Sequence, residues 1–185
     1  MIELIFRAAE MADAPHIASL VNSAYRGESS RQGWTTEADF LDGRRTDAAE
    51  VQRLITAQDA LLLVCLLGNE VVGSVLLEHA ARGADLGMFA IRPNLQGRGI
   101  GSRLLEQAEQ AVFDTWRLDR IMMRVLTLRH ELIAFYERRG YIRTGHLQPF
   151  PVNTQLWTPK VAGLRMEWLE KTLPSCVQSI NPAQR

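Results

Sequence analysis

The chain has 185 residues, of which 46% are hydrophobic and 23% are charged, a composition typical of one soluble globular domain. Lysine plus arginine and aspartate plus glutamate number 21 each, so the formal net charge is zero. This balance argues against a nucleic-acid or membrane-surface partner, which usually requires a basic excess, and no apolar run reaches the length of a membrane span.

The N-terminal half predicts a strand, a set of helices and a hairpin. The apolar patterning and turn residues place these elements as follows: a strand over 2–8, a helix capped by Asp13, a polar loop over 27–33, a short helix after Trp34 capped by Thr35 or Thr36, a helix over 47–58, and paired strands over 61–67 and 71–78. The continuous apolar character of the paired strands predicts that both of their faces are covered.

The C-terminal half alternates strands with helices. Its predicted elements are a strand over 86–91 after a turn at 83–85, a helix opening near Ser102, a strand over 120–126, a helix over 131–139 ended by Gly140, a strand over 141–147, a proline-rich loop and a final strand over 164–169. The whole order, β-α-α-β-β-β-α-β-α-β-β, predicts one α/β domain with a single sheet.

Cysteine and histidine usage predicts neither a disulfide nor a metal site. Cys65 lies within an apolar run and Cys176 lies near the C-terminus, while the four histidines have no metal-ligand spacing. The N-terminus lacks the regions of a signal peptide. We therefore expect a cytoplasmic protein without a bound metal.

A glycine-rich turn, Gln96-Gly97-Arg98-Gly99-Ile100-Gly101, joins the strand over 86–91 to the next helix. The first backbone N–H groups of a helix are unpaired and carry partial positive charge, and glycines let an anion approach them closely. The spacing is not that of a P-loop or of a dinucleotide-binding fingerprint. The turn therefore predicts a site for a phosphorylated ligand.

This turn resembles the pyrophosphate loop of the GNAT superfamily of acyl-CoA N-acyltransferases. The segment Ala134–Tyr141 is similar to the helix and turn after the fifth strand of that family, and it follows in the expected order. The resemblance covers roughly residues 1–172 and is strongest over 86–141. It implies a single mixed, mostly antiparallel sheet flanked by helices, with a splay between the fourth and fifth strands, in an N-acetyltransferase domain over 1–172 followed by a flexible tail over 173–185.

The resemblance also implies where acetyl-CoA binds. The backbone of the fourth strand would pair with the pantetheine, and the turn and helix start would bind the pyrophosphate. Arg129 replaces an asparagine that often contacts the coenzyme in the family, and the two interpretations of it are a pair with a phosphate and a solvated arginine at the helix start. The expected coenzyme-binding residues are Phe89, Ala90, Ile91, Gln96, Gly97, Arg98, Gly99, Ile100, Gly101, Ser102 and Arg129. Short basic pairs such as Arg138-Arg139 are taken as solvated helix faces.

Tyr136 is the candidate catalytic residue, because the family position faces the coenzyme sulfur and protonates the departing thiolate. A core aromatic is the alternative interpretation, since Tyr136 shares a helix face with Leu132 and Ile133. The family position of a glutamate base is occupied here by Arg124. The remaining base candidates are a water chain or an acidic or histidine side chain: Glu78, His79, Asp85, Glu37 and Asp39.

The acceptor is expected to be a small-molecule amine or a protein amine. The resemblance places the region around Trp34 and the loop around Trp157 at the acceptor site, where Trp34 would form a wall and Glu37 would attract an ammonium group. The alternative interpretation of Trp34 is a core tryptophan that packs the helix pair onto the sheet, and Trp157 is a similar case. The expected function is acetyl transfer from acetyl-CoA to a primary amine by direct attack. A non-catalytic acyl-CoA-binding module and a nucleotide-phosphate binder remain alternatives, and a homodimer is left open.

Overall fold

The computed structural model of the protein describes residues 3–151, 153 and 155–174. The strands of this part of the chain are β1 Leu4–Ala8, β2 Leu41–Gly43, β3 Ala60–Leu67, β4 Glu70–Ala80, β5 Gly83–Ile91, β6 Arg120–Leu126, β7 Ile142–Pro149, β8 Trp157–Pro159 and β9 Arg165–Thr172. The α-helices are α1 Ala14–Tyr25, α2 Gly27–Ser30, α3 Ala48–Thr56, α4 Ile100–Trp116 and α5 His130–Glu137. Cys176 and most of the expected tail, 175–185, lie outside the described residues.

Seven of the strands form one sheet in the order β1-β3-β4-β5-β6-β9-β7. Its neighbours are antiparallel except β5 and β6, which run parallel. The short strands β2 and β8 pair with each other in a separate two-stranded sheet. The prediction of a mixed, mostly antiparallel sheet is confirmed, and the fourth and fifth strands of the family correspond to β5 and β6.

Helices cover both faces of the sheet. The apolar stripes of α4 and α5 pack on one face, where Leu104, Leu105 and Ile121 are almost completely buried. The stripes of α1 and α3 pack on the other face through residues such as Ile17 and Val51. Strands β3 and β4 contribute to both cores, so the prediction that both faces of the hairpin are covered is confirmed.

The segment between α1 and α3 departs from the prediction. The predicted loop contains α2, and the predicted short helix after Trp34 is wrong, since only turns precede β2. The side-chain hydroxyls explain the difference, because they satisfy backbone groups locally instead of capping a helix. Ser30 Oγ donates to the Gly27 carbonyl at 2.7 Å, and Thr36 Oγ1 accepts from the Ala38 amide at 3.0 Å.

Two other predictions are corrected by tertiary contacts. Asp13 precedes α1, but its carboxylate accepts from the Glu10 amide at 2.7 Å and pairs with Arg7 rather than capping α1. Strand β5 begins at Gly83 and not after a turn at 83–85. A side chain at Gly83 would come within 2.6 Å of the Arg120 carbonyl oxygen, so this glycine allows β5 to approach β6 closely.

The folded part of the chain extends past the expected boundary at residue 172. Leu173 is 4% exposed within the core of α4 and α5, and its amide donates to the Asp119 carbonyl at 2.7 Å. A buried leucine with a satisfied amide belongs to the packed domain. Residue 173 is therefore part of that domain and not of a tail.

Candidate functional site

The central feature of the molecule is a cleft where β5 and β6 separate. The two strands pair only between Ala84–Leu86 and Ile121–Met123, although β5 continues to Ile91. Beyond these pairs the edge of β5 has no partner strand among the described residues, and a cavity of about 450 Å³ opens beside it. Phe89, Ala90 and Ile91 line this cavity. The splay between these strands is thus present.

A β-bulge redirects β5 where the cleft begins. Met88 has a φ of 45°, which is rare for a residue other than glycine, and the pairing register with β4 shifts between Ser74 and Leu76. The buried Ser74 hydroxyl donates to the Met88 carbonyl at 3.4 Å. The bulge places Phe89 on the α4–α5 side while Met88 packs with α1.

The glycine turn forms the open N-terminus of α4. Gly97 and Gly99 have φ values of 75° and 80°, and no side chain caps the helix at Gly99. A Cβ on Gly101 would lie 3.6 Å from Ile91 Cγ1, at the lining of the cleft. The first amides of a 17-residue helix are therefore presented to the cleft without a side-chain competitor.

The structure places most of the predicted turn residues at the cleft. Those among its lining are Gln96, Gly97, Gly99, Gly101 and Ser102. Ile100 is 7% exposed and packs in the core, and Arg98 is exposed and does not line the cavity.

Arg138 and Arg139 lie at the same end of the cleft, although the sequence suggested solvated helix faces. Arg139 Nη2 donates to Ser102 Oγ at 2.5 Å, and its guanidinium stacks 3.5 Å from the centroid of the Phe135 ring. Burial lowers the pKa of Arg139 from its usual value, but a guanidinium stays charged near neutral pH. Two cations thus accompany the helix N-terminus.

Gln96 connects the glycine turn to the segment before β2. Its Nε2 donates to the Ile91 carbonyl at 3.1 Å, and its Oε1 accepts from the Trp34 amide at 3.1 Å. A Cβ on Gly33 would lie only 2.3 Å from that Oε1, so a larger residue there would displace the Gln96 side chain. The Trp34 ring lies 5.6 Å from the Phe135 ring and lines the cleft near the turn.

Tyr136 is buried beneath the cleft and is 4% exposed. Its ring contacts the rings of Phe89, Phe135 and Tyr141 at centroid distances of 6.2, 5.3 and 5.5 Å. Burial raises the pKa of Tyr136 well above its usual value, and its hydroxyl makes no hydrogen bond to the residues that the structure describes. Tyr136 is therefore a core aromatic residue whose hydroxyl also remains free of hydrogen bonds to the described residues.

Tyr25, which the sequence did not single out, lines the cleft directly. Its hydroxyl donates to the Phe89 carbonyl at 3.1 Å, next to the bulge in β5. Burial raises the pKa of Tyr25, as does the nearby charge of Glu37. A second protonated phenol is thus present at the splay, and its position at the end of α1, 64 residues before Phe89, gave no local signal.

Arg129 lines the cleft and forms a buried ion-pair cluster with Glu37 and Arg26. Arg129 Nη1 donates to Glu37 Oε1 at 2.8 Å, and Arg26 Nη1 donates to Glu37 Oε2. The exposed carboxylate expected at Glu37 is therefore not found: its side chain is 9% exposed and both oxygens are engaged by arginines. Arg129 also donates to the Thr35 hydroxyl at 3.0 Å, and Thr35 lines the cleft.

Trp157 is not among the residues that line the cleft. It lies on β8 opposite Gly43 and packs with Phe150 in a third apolar cluster. Its Nε1 donates to the Pro151 carbonyl at 2.9 Å. The structure thus separates the two tryptophans that the sequence placed together at the acceptor site.

Two of the candidate bases lie opposite each other on β4 and β5. Glu78 pairs in register with Asp85, and burial raises the pKa of both carboxyls. Asp85 Oδ1 is buried without a hydrogen-bond partner among the described residues, while its Oδ2 lies 3.8 Å from Arg124 Nη2. Asp39 instead pairs with a surface arginine. A carboxyl with a raised pKa is suited to accept a proton.

Neither a metal site nor a membrane span is found in the described part of the chain. No group of three or more histidine, cysteine or acidic side chains could hold a metal ion there. None of its helices combines the length and apolarity needed to cross a bilayer.

Comparisons with known proteins agree with this geometry. The sequence profile of the Acetyltransferase (GNAT) family matches residues 18–141. The S-(2-succino)cysteine N-acetyltransferase of Bacillus subtilis (strain 168) is 34% identical over 58 residues, which are 31% of this chain and 35% of that protein. The match therefore spans about a third of the curated relative.

Solved structures share the whole fold at low identity. A GNAT-family acetyltransferase of Streptococcus pneumoniae has a TM-score of 0.64 and 18% identity, and the match covers 93% of this chain and 100% of that one. A spermidine N-acetyltransferase of Vibrio cholerae in complex with CoA and spermine has a TM-score of 0.66 and 20% identity, with 93% and 96% covered. At these identities the likeness shows the fold alone.

Proposed function

Because the chain belongs to the Acetyltransferase (GNAT) family, we propose that it is an enzyme that transfers an acetyl group from acetyl-CoA to a primary amine. The observation that carries this proposal is the cleft between β5 and β6, which has an unpaired strand edge along one wall and an open helix N-terminus at one end. An extended amide-bearing chain that ends in phosphates matches these two features. The pantetheine and pyrophosphate of coenzyme A form such a chain.

The donor binds along β5 and ends at α4. The backbone of Phe89, Ala90 and Ile91 pairs with the pantetheine amides, and the first amides of α4, from Gly97 to Ser102, bind the pyrophosphate. Arg139 lies 2.5 Å from Ser102 and adds a positive charge at this end. Its stacking on Phe135 fixes the guanidinium, so less conformational entropy is lost on binding.

The acetyl group moves by direct attack. The amine nitrogen forms a bond to the thioester carbonyl carbon, the carbon–sulfur bond breaks, and the coenzyme leaves as a thiolate that takes up a proton. A free thiol has a pKa of about 8.5, so protonation at sulfur assists this departure. Burial keeps Tyr136 protonated, and its hydroxyl has no partner among the described residues, so we assign it as the proton donor.

The amine must lose a proton during the attack, and Asp85 is the carboxylate best suited to receive it. Burial raises its pKa above the usual aspartate value, and one oxygen is buried and unpaired within the described structure. Asp85 lies where β5 still pairs with β6 and does not line the cleft, so its role in this proposal requires water to carry the proton. Tyr25 acts differently: its hydrogen bond to the Phe89 carbonyl holds the bulged strand in position.

Coenzyme binding and turnover test the proposal separately. We expect acetyl-CoA to raise the melting temperature more than ATP or NAD at equal concentration, since only coenzyme A fills both the strand edge and the helix end. We then expect release of free coenzyme thiol with at least one amine from a panel of amino acids, polyamines and peptides. Binding without turnover across the panel would instead identify a non-catalytic acyl-CoA-binding module, and stabilisation by ATP or NAD alone would remove the proposal.

A further inference from the structure

The buried cluster of Arg26, Arg129 and Glu37 carries more positive than negative charge. The three side chains are 4%, 7% and 9% exposed, and the single carboxylate pairs with both guanidinium groups. Two full positive charges thus face one negative charge away from water. The other acid in contact is Glu131, an exposed residue that accepts from the Thr35 hydroxyl at 3.3 Å, where solvent screens its charge.

Arg26 is incompletely paired as well as incompletely neutralised. Its Nη1 donates to Glu37 and, at 3.4 Å, to the Tyr25 carbonyl. Its Nε and Nη2 are buried and have no hydrogen-bond partner among the described residues. Buried charged donors without partners are strongly unfavourable, and native structures satisfy nearly all of them with protein groups, water, an ion or a ligand.

The cluster borders the cleft through Arg129, which precedes α5, whereas Arg139 follows α5 and contacts Ser102 at the phosphate-binding turn. Arg129, Thr35 and Tyr25 line the cavity there. Among the charged groups that act on the Tyr25 phenol, Glu37 is the one acid, whereas Arg129, Arg45 and Arg26 are cations. This end of the cleft is therefore an environment that favours an anion and disfavours a polycation.

We infer that the substrate reaching this end of the cleft carries a carboxylate, which pairs with the Arg129 guanidinium and balances the excess charge of the Arg26–Arg129–Glu37 cluster. The inference rests on the proposed acetyl transfer and names the substrate class of the same site. A carboxylate is planar and accepts hydrogen bonds from a guanidinium, and Arg129 is the arginine of the cluster that lines the cleft. Arg26 does not line the cleft, and it supplies the second positive charge behind Arg129. The acceptor is then an amino acid or a similar amino-carboxylate and not a polyamine.

Amines that differ only in carrying a carboxylate or a carboxamide test the inference directly. Glycine, glutamate and S-(2-succino)cysteine are each compared with the corresponding carboxamides, and spermidine is included, with acetyl-CoA as donor. Rates are expressed per concentration of unprotonated amine, because amide formation lowers the pKa of an α-amine. We expect kcat/KM to be higher for at least one carboxylate form than for its carboxamide and for spermidine.

The variant Arg26→Met assigns the preference to the cluster. We expect it to lower the ratio of kcat/KM for the carboxylate form to kcat/KM for its carboxamide by about 10- to 100-fold, because it removes one of the two buried positive charges that face the carboxylate. Arg31→Met is the matched control, since Arg31 is 40% exposed and pairs with surface acids, and it should leave the ratio unchanged. Should Arg26→Met fail to fold, Arg26→Lys keeps the charge without the guanidinium and should lower the ratio by a smaller factor.

A change of acyl donor distinguishes a carboxylate on the amine acceptor from a carboxylate on the acyl group. If the carboxylate belongs to the acyl group, succinyl-CoA with glycinamide will exceed acetyl-CoA with glycinamide, and Arg26→Met will remove that excess. The inference is overturned if spermidine or the carboxamides are the better acceptors, or if Arg26→Met scales all substrates equally. In either case turnover itself remains, so a failed inference is distinguishable from a failed function, in which no amine is acetylated.

Discussion

Glu37→Gln is the substitution that most directly tests the buried charge cluster. It keeps the size of the side chain and removes the one carboxylate that lies between Arg26 and Arg129. Two guanidinium groups that are 4% and 7% exposed would then face each other without a counter-charge. We expect a large loss of folding stability, since an uncompensated buried charge is more unfavourable than a missing surface pair.

The magnitude follows from the contacts of the carboxylate. At an effective dielectric constant of about 20, two unit charges about 4 Å apart attract by about 4 kcal/mol, so two arginines supply about 8 kcal/mol before desolvation. Desolvation of the carboxylate offsets several kcal/mol, and breaking a buried pair costs about 3–5 kcal/mol in measured cases. For a domain of 185 residues, a shift of roughly 2–4 °C per kcal/mol gives a fall of roughly 6–20 °C in Tm.

Equilibrium unfolding in urea measures the effect, with unchanged m-values required for a two-state comparison. Asp39→Asn is the control, because Asp39 lies two residues from Glu37 but pairs with Arg31 at the surface, with a side chain that is 58% exposed. The stability of this variant should resemble that of the wild type. In an Arg26→Met background Glu37→Gln should be less destabilising, since only one cation loses its partner. A Glu37→Gln protein within about 1 kcal/mol of the wild type would refute the charge argument.

Three further predictions concern catalysis and the cleft. Tyr136→Phe should lower kcat about 10- to 100-fold with little change in acetyl-CoA affinity, whereas Tyr25→Phe should alter kcat less; equal kcat for Tyr136→Phe and wild type would remove the assignment. Gly33→Ala should weaken acetyl-CoA binding, as measured by calorimetry, because its Cβ would lie 2.3 Å from Gln96 Oε1 and displace that side chain. Unchanged affinity would show that the position of the Gln96 side chain does not affect coenzyme binding. Because burial raises the pKa of Asp85, this carboxyl becomes an ionised base only above the usual aspartate range. The value of kcat/KM should therefore rise with pH through that pKa, and Asp85→Asn should abolish this rise. A rise that instead follows the pKa of the amine would favour a water chain as the base.

The fold was largely predictable because its elements are encoded locally. Apolar runs bounded by turn residues located β3, β4 and β6, and the bounds of β6 matched the prediction. The errors arose where tertiary contacts decide. Gly83 is typical of a turn in isolation but serves as a point of close approach to Arg120. Thr36, one of the two predicted helix caps, accepts from the Ala38 amide in a turn, and Ser30 Oγ donates to the Gly27 carbonyl in the segment predicted to be a loop.

The two ends of the cleft differed in how far the sequence could predict them. The phosphate end is continuous in sequence, since a strand, a glycine turn and a helix start follow one another from Phe89 to Ser102. The other end depends on contacts between distant segments, such as the pair of Arg129 with Glu37, which are 92 residues apart. No periodicity or spacing marks such a pair, so Arg26 and Tyr25 received no prediction and Glu37 was expected to be exposed.

The two ends of the cleft are connected through the side chain of Gln96. Gln96 belongs to the coenzyme turn, yet its side chain holds the Trp34 amide, and the segment that follows Trp34 carries Thr35 and Glu37 into the arginine cluster. The position of the charged end therefore depends on the geometry of the turn that binds phosphate. A displacement of Gln96 would therefore disturb the Trp34 amide and, through the segment from Trp34 to Glu37, the arginine cluster. The specificity for the amine and the affinity for acetyl-CoA therefore depend on the same set of contacts, which runs from the glycine turn through Gln96 and Trp34 to the arginine cluster.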